Sequence, residues 1–296
     1  MGTQRLASDE ALEQYGNQTV VATSRYSFKE LADIYNQTRV DYIVPMPMNA
    51  RRMEEYVRDY DIDLDASFVS LNTDSEPTGV GMLGIRDDRA WITRLGVIPH
   101  GRGRKTGLFL MDVMLAEARS RKSRLVQLEV IKGNEPAYRL FSKLGFLETR
   151  ELLVSRRPPA APVANPQFDS AEVTPLTDDE ITTRLQQYDA GASWVEEGKS
   201  ILQAGSLKGF EVTLTTGAKG WLIFQNKAFQ IAHIVLGEPD KLSAEMAQAL
   251  LYHLHRQYPQ KDTSVENIAV DSRFWPAYQS LGYMESFRRI EMFLMF

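Results

Sequence analysis

The sequence contains no cysteine. That absence excludes disulfides, thiolate metal sites and a cysteine nucleophile, and it leaves the redox compartment open. No window approaches the roughly 18 uninterrupted apolar residues of a membrane-spanning helix, and the first residues carry no apolar segment of the secretory type. Met1-Gly2 is not followed by the small hydroxyl residue that myristoylation requires, because position 6 is Leu6. A cytoplasmic protein without membrane attachment is expected. A basic surplus is lacking too: the formal net charge is -5, which argues against nucleic acid and for a small-molecule or peptide partner. Histidine is scarce, and His253 and His255, two apart on an expected helix, point in different directions, so no metal site is expected.

What is present is an ordinary globular composition, 43% hydrophobic and 25% charged over 296 residues, which is long enough for two domains. Residues 156–168 (RRPPAAPVANPQF) carry four prolines, which forbid helix and favour an extended linker. The expected division is a first domain over 1–155, a linker over 156–168 and a second domain over 169–296.

In the first domain, residues 20–25 read as a strand, and Ser27 with Glu30 reads as a capping box for the helix that follows. A second helix is expected over 50–60. Strands over 67–72, 79–85 and 91–97 form a meander, with 86–89 as the tight turn of a hairpin. A helix over 106–119, a strand over 125–131, a helix over 134–144 and a strand over 146–155 complete an α+β domain with a mixed, mostly antiparallel sheet. The second domain echoes the later part of this order: strands at 210–214, 220–224 and 228–236, a helix at 242–257, a strand at 265–270, and a short helix at 274–281 before a last strand. A shift of 137 residues superimposes Glu129 on Glu266, Asn134 on Asp271, Phe141 on Tyr278 and Leu144-Gly145-Phe146 on Leu281-Gly282-Tyr283, which suggests duplication.

Residues 97–107 run from strand through a basic, glycine-containing loop into helix. A pyrophosphate needs converging donors, and a helix N-terminus provides free backbone N–H groups and a favourable dipole. Arg102, Gly103, Arg104, Lys105, Thr106 and Gly107 offer glycines where backbone approaches the ligand and three cations around them, with Thr106 as the expected cap. A solvated cationic turn is the competing reading of the loop taken alone. Gly79-Val80-Gly81-Met82-Leu83-Gly84 matches a dinucleotide fingerprint by letter, but it lies within an expected strand and is read as a decoy. Lys105-Thr106 lacks the glycine that a Walker loop requires before it, and His100 is read as a surface residue.

With Val97-Ile98-Pro99, Arg102 and Gly107 in register, the sequence resembles the GNAT superfamily of N-acetyltransferases, with Lys105 where that family places its first loop glycine. Asn134, Ala137, Leu140, Lys143 and Gly145-Phe146 continue the family pattern at its usual spacing. The resemblance covers residues 19–157 well and 209–296 weakly, and it implies two GNAT-like domains, the second degenerate. It implies acetyl-coenzyme A as acyl donor and a small-molecule or peptide amine as acceptor, by direct attack in a ternary complex. Leu95 and Val97 would border the donor's arm, with the Val97 N–H on the oxyanion, and Asn134, Phe141 and Lys143 would flank it. Leu128-Glu129-Val130 matches the strand that carries a glutamate base in some ribosomal-protein acetyltransferases, which makes Glu129 the candidate base.

Phe141 stands where the family's acidic tyrosine belongs and has no proton to give. Three alternatives stay open: Tyr138, one turn earlier, substitutes; sulfur leaves as thiolate; or the domain binds an acyl-coenzyme A without turnover, as a sensing or interaction protein. The second domain has no basic glycine loop, since Gly237-Glu238-Pro239-Asp240 precedes its helix, and it is not expected to hold coenzyme A.

Overall fold

The computed structural model describes residues 15, 17–188, 191–237 and 241–296. The first residues, in which no apolar leader was found, and the acidic positions 238–240 lie outside the described residues. The chain divides into two compact units, Met1–Thr149 with Glu291–Phe296, and Arg150–Ile290. The division therefore falls a few residues ahead of the expected linker, and the proline-rich stretch belongs to the second unit. The C-terminal residues return to the first, where the Phe296 N–H donates to the Arg124 carbonyl.

In the first unit, β1 (Thr19–Ala22) continues into a 3-10 turn (Thr23–Arg25) rather than the longer strand expected. Thr23 is fully buried, and its N–H and hydroxyl are drawn to the carbonyls of Ser67 and Leu64. Helix α1 (Phe28–Gln37) starts at the Ser27–Glu30 capping box, with both reciprocal bonds formed. Then follow α2 (Ala50–Asp59), β2 (Phe68–Leu71), β3 (Pro77–Arg86), β4 (Arg89–Val97), α3 (Thr106–Ser120), β5 (Leu125–Ile131) and α4 (Glu135–Lys143), and β6 (Leu147–Arg157) begins here and continues as a strand of the second unit. Strands β1 to β5 lie in sequence order, antiparallel except for β4 with β5, and the end of β12 (Met284–Met295) follows β5.

The decoy glycines have a packing role within β3. A Cβ built on Gly81 would lie 2.6 Å from the Met114 Cε of α3, and one on Gly79 would lie 2.7 Å from the Gly96 carbonyl. The bare backbone of β3 lets helix and neighbouring strand close in, a close approach that only glycine allows.

The second unit orders its strands β7 (Glu172–Pro175), β8 (Leu207–Thr213), β9 (Lys219–Asn226), β10 (Gln230–Leu236), β11 (Asp262–Ala269) and β6, with only β10 and β11 parallel. Its helices are α5 (Pro166–Asp169), α6 (Asp178–Gln186), α7 (Gly198–Ala204), α8 (Ala244–Gln257) and α9 (Trp275–Ser280). The sequence analysis assigned nothing over 169–205, where α6 and α7 lie. His253 and His255 are structural: their Nε2 atoms meet the Phe168 carbonyl and the Tyr283 hydroxyl, each at 3.0 Å.

The repeat seen at a shift of 137 residues recurs in the backbone. Gly145 and Gly282 both have positive φ, 92° and 90°. The Phe146 N–H donates to the Phe141 carbonyl as the Tyr283 N–H donates to that of Tyr278. Each unit is thus a mixed, mostly antiparallel sheet flanked by helices. Among the described residues no helix is long and apolar enough to cross a membrane, and no cluster of three metal-ligating side chains occurs.

Candidate functional site

The site grows from a defect in β4. Its ladder with β3 slips between Val80 and Met82, where Val80 faces Gly96 and Met82 faces Thr93, so β4 carries an extra residue. Arg94 takes that position with φ 52°, in the left-handed region. Its guanidinium lies 4.2 Å from the Tyr56 ring centroid and donates to the Tyr35 hydroxyl at 3.0 Å. Burial alone would raise the Tyr35 phenol, but Arg94 and Arg39 outweigh it and hold the pKa below its usual value. β4 and β5 pair in parallel only from Arg89–Leu125 to Trp91–Gln127. Beyond that point β4 and β5 splay apart, with no further paired residues between them. Leu95 and Val97 lie on β4 in this splayed part, and Glu129 on β5. The Leu95 carbonyl accepts from Arg39 at 2.9 Å, and Arg39 in turn stacks 4.0 Å from the Tyr42 ring centroid.

After β4 a 3-10 turn (Pro99–Gly101) leads into the basic loop. Gly103 has φ +76°, and Lys105, the N-cap of α3, has φ 61° with no side-chain capping bond. A lysine in this conformation costs about 1 kcal/mol or more relative to glycine. Thr106 is not the cap the sequence analysis expected. It is the first helical residue and is buried, with its hydroxyl 2.7 Å from Gln18 Oε1 and 3.0 Å from the Gly101 carbonyl. The first-turn N–H groups of α3 therefore have no side-chain cap. Gln18, which the sequence analysis missed, also donates from Nε2 to the Arg104 carbonyl at 2.9 Å. It holds the loop across 86 residues of chain, a separation at which no local pattern could reveal it.

Residues 102–105 are exposed. Arg102, expected as a phosphate ligand, makes a bidentate pair with Asp41 at 2.5 and 2.7 Å, which holds the Asp41 carboxyl below the usual range. A Cβ built on Gly107 would lie 3.4 Å from Leu140 and 3.6 Å from Val97, so the start of α3 and the end of β4 meet α4 here.

On the α4 side, Asn134 is the N-cap: Oδ1 accepts from the Ala137 N–H at 3.4 Å, and Nδ2 donates to the Tyr42 hydroxyl at 3.2 Å. Phe141 is buried against Phe146, with ring centroids 6.1 Å apart, and Lys143 is exposed in the last turn. The Glu129 Oε2 accepts from Trp91 Nε1–H at 2.7 Å, and Trp91 packs between Tyr56 and Tyr60. Glu148, on β6, raises the pKa of the Tyr138 phenol against the opposing effect of Ser142. Leu95 is thus joined to Asn134 through Arg39 and Tyr42, Gly107 packs beside Val97 and Leu140, and Glu129 lies on β5 against Trp91.

Residues 29–146 match the model of the acetyltransferase (GNAT) family. A search of curated proteins gives no match. Among solved structures, a putative acetyltransferase from Pyrococcus horikoshii is 14% identical with TM-score 0.63, covering 94% of this chain and 89% of its own. A GCN5-related N-acetyltransferase from Sphaerobacter thermophilus is 17% identical with TM-score 0.69, covering 94% and 95%. A tandem GNAT protein from the clavulanic acid biosynthesis pathway is 14% identical with TM-score 0.63, covering 94% and 98%. At these identities the likeness is one of fold.

Proposed function

We propose that the first unit, in which residues 29–146 match the model of the acetyltransferase (GNAT) family, transfers the acyl group of acetyl-coenzyme A to a primary amine of a small molecule or peptide. The observation that carries this reading is the uncapped start of α3 behind two left-handed residues, Gly103 and Lys105, beside the splayed ends of β4 and β5. Free amides and the helix dipole favour a pyrophosphate there, and Arg104 and Lys105 add charge. Arg102 joins them on leaving Asp41. Gly103, Thr106 and Gly107 shape the loop backbone, while Leu95, Asn134, Phe141 and Lys143 border the donor's arm.

The donor supplies the activated thioester. The Val97 N–H meets the negative charge that develops on the acyl oxygen. Glu129, oriented by Trp91, takes the proton from the attacking nitrogen as the C–N bond forms and the C–S bond breaks. Glu148 raises the Tyr138 phenol, and sulfur departs as thiolate, a group of pKa roughly 8.5.

A second reading rests on Phe141, a buried ring with no proton at the acid position: the unit binds an acyl-coenzyme A without turnover. Thiol release measured across a panel of primary amines separates the two. Release with at least one amine supports transfer. Tight binding with no release leaves the second reading, and failure to bind acetyl-coenzyme A removes both.

A further inference from the structure

The second unit has an opening of its own between splayed strands. β10 and β11 pair in parallel only at Gln230–Asp262 and Ile231–Thr263. Beyond those pairs the β10 ladder slips between Ala232 and Val235, and that of β11 between Val265 and Ile268. His233 (φ 47°) and Asn267 (φ 57°) sit at these slips in the left-handed region, a strain that persists only where the surroundings enforce it. The opening holds a cavity of about 310 Å³, within the range of small-molecule sites.

The lining combines both signs of charge. Glu196, from the 3-10 turn Trp194–Glu196, has its carboxylate 3.3 Å from His233 Nδ1. Burial pushes the Glu196 carboxyl up, with Glu266 adding to the effect and His233 opposing it. Burial opposes protonation of His233, but Glu196 outweighs it and raises the imidazole pKa. Glu266 faces the same space and is paired with Arg289 at 2.8 Å. Arg150 and Arg273 complete the charged lining. Two carboxylates and two guanidiniums therefore face one cavity, and a ligand of a single charge would leave one pair opposed to it.

Two phenols add the decisive feature. Tyr188 and Tyr278 line the cavity, and among the described residues neither hydroxyl makes a hydrogen bond. Tyr278 is 4% exposed. Burial pushes the Tyr188 phenol up to about 12 and that of Tyr278 well above its usual value, so both keep their protons and act as donors near neutrality. Tyr278 is buried and Tyr188 half-buried, so both hydroxyls are free to donate to an acceptor held in the cavity.

We propose that this cavity is a binding site for a small zwitterion of amino-acid size, its ammonium directed to Glu196 and Glu266 and its carboxylate to Arg273, Arg150 and the Tyr278 hydroxyl. The site is distinct from the cleft of the first unit and needs no coenzyme.

The test is saturation-transfer NMR with calorimetry on the full chain, using the common free amino acids and glycyl dipeptides as probes. At least one binds, and its deaminated and decarboxylated analogues each bind about tenfold more weakly or worse. Tyr278→Phe, which removes a single oxygen, and Arg273→Ala, at an exposed position, each weaken that ligand about tenfold while the melting temperature and acetyl-coenzyme A affinity stay unchanged. Titrating acetyl-coenzyme A into the same samples reads the first unit separately, so either assignment can fail alone. Absence of binding by every probe, equal binding of the analogues, or unchanged affinity in both variants overturns the proposal.

Discussion

Arg102 and Asp41 form a two-bond guanidinium–carboxylate pair at the mouth of the basic loop, at 2.5 and 2.7 Å. Asp41 thereby occupies the donors that the proposed function gives to a phosphate. Asp41→Asn is expected to tighten acetyl-coenzyme A binding by no more than about fivefold, the range of an exposed ion pair. The gain shrinks as salt rises from 50 to 500 mM. Calorimetry at the two ionic strengths checks it, and weaker binding in the variant would show that Asp41 supports the loop instead.

Lys105→Gly separates strain from charge. Glycine relieves the left-handed φ at the α3 N-cap, offset by its larger unfolded-state entropy, so stability rises by about 0–1 kcal/mol. If the ammonium serves a phosphate, affinity for acetyl-coenzyme A falls about 3- to 10-fold in the same variant. Opposite shifts in melting temperature and affinity are the expected signature.

Glu129→Gln keeps an oxygen for the Trp91 N–H but cannot take a proton. Turnover is expected to fall about 10²- to 10⁴-fold at unchanged donor affinity. An unaltered rate removes Glu129 from the mechanism.

His255 gives the second unit an acid sensitivity. Burial, with Arg157 nearby, pushes its pKa down to about 3 from an ordinary 6.5. A depressed folded pKa means the native state holds the neutral imidazole while the unfolded state gains a proton. The contribution is fully present above pH 6.5 and is lost as pH falls toward 3, at up to about 1.4 kcal/mol per pH unit. Urea unfolding between pH 7.5 and 4 should show this slope, and His255→Gln should flatten it.

Lys105, Asn134 and Gly145-Phe146 were picked out by the family pattern, and the structure gives them a left-handed N-cap, a helix cap and a left-handed turn. The Ser27–Glu30 capping box and the hairpin between β3 and β4 were legible because each answers a local demand, a helix start and a tight turn. The bulge at Arg94 was not, since a non-glycine residue with positive φ leaves no mark in the sequence and is held there by Tyr35 and Tyr56 from distant helices. Gln18, Asp41 and Trp91 were missed because their roles depend on partners 86, 61 and 38 residues away. Thr106 was misjudged for the opposite reason: a good capping residue by type was drawn inward by Gln18. In the second unit, Glu266 and Tyr278 were visible as counterparts of Glu129 and Phe141, but the cavity they share with Glu196 arises only from the splay of β10 and β11.

The central claim is that one unit cradles acetyl-coenzyme A and the other does not. Isothermal titration of acetyl-coenzyme A into the full chain tests this most directly. The account predicts one molecule bound per chain, with Arg104→Glu abolishing the heat. No heat, or two molecules per chain, would contradict it.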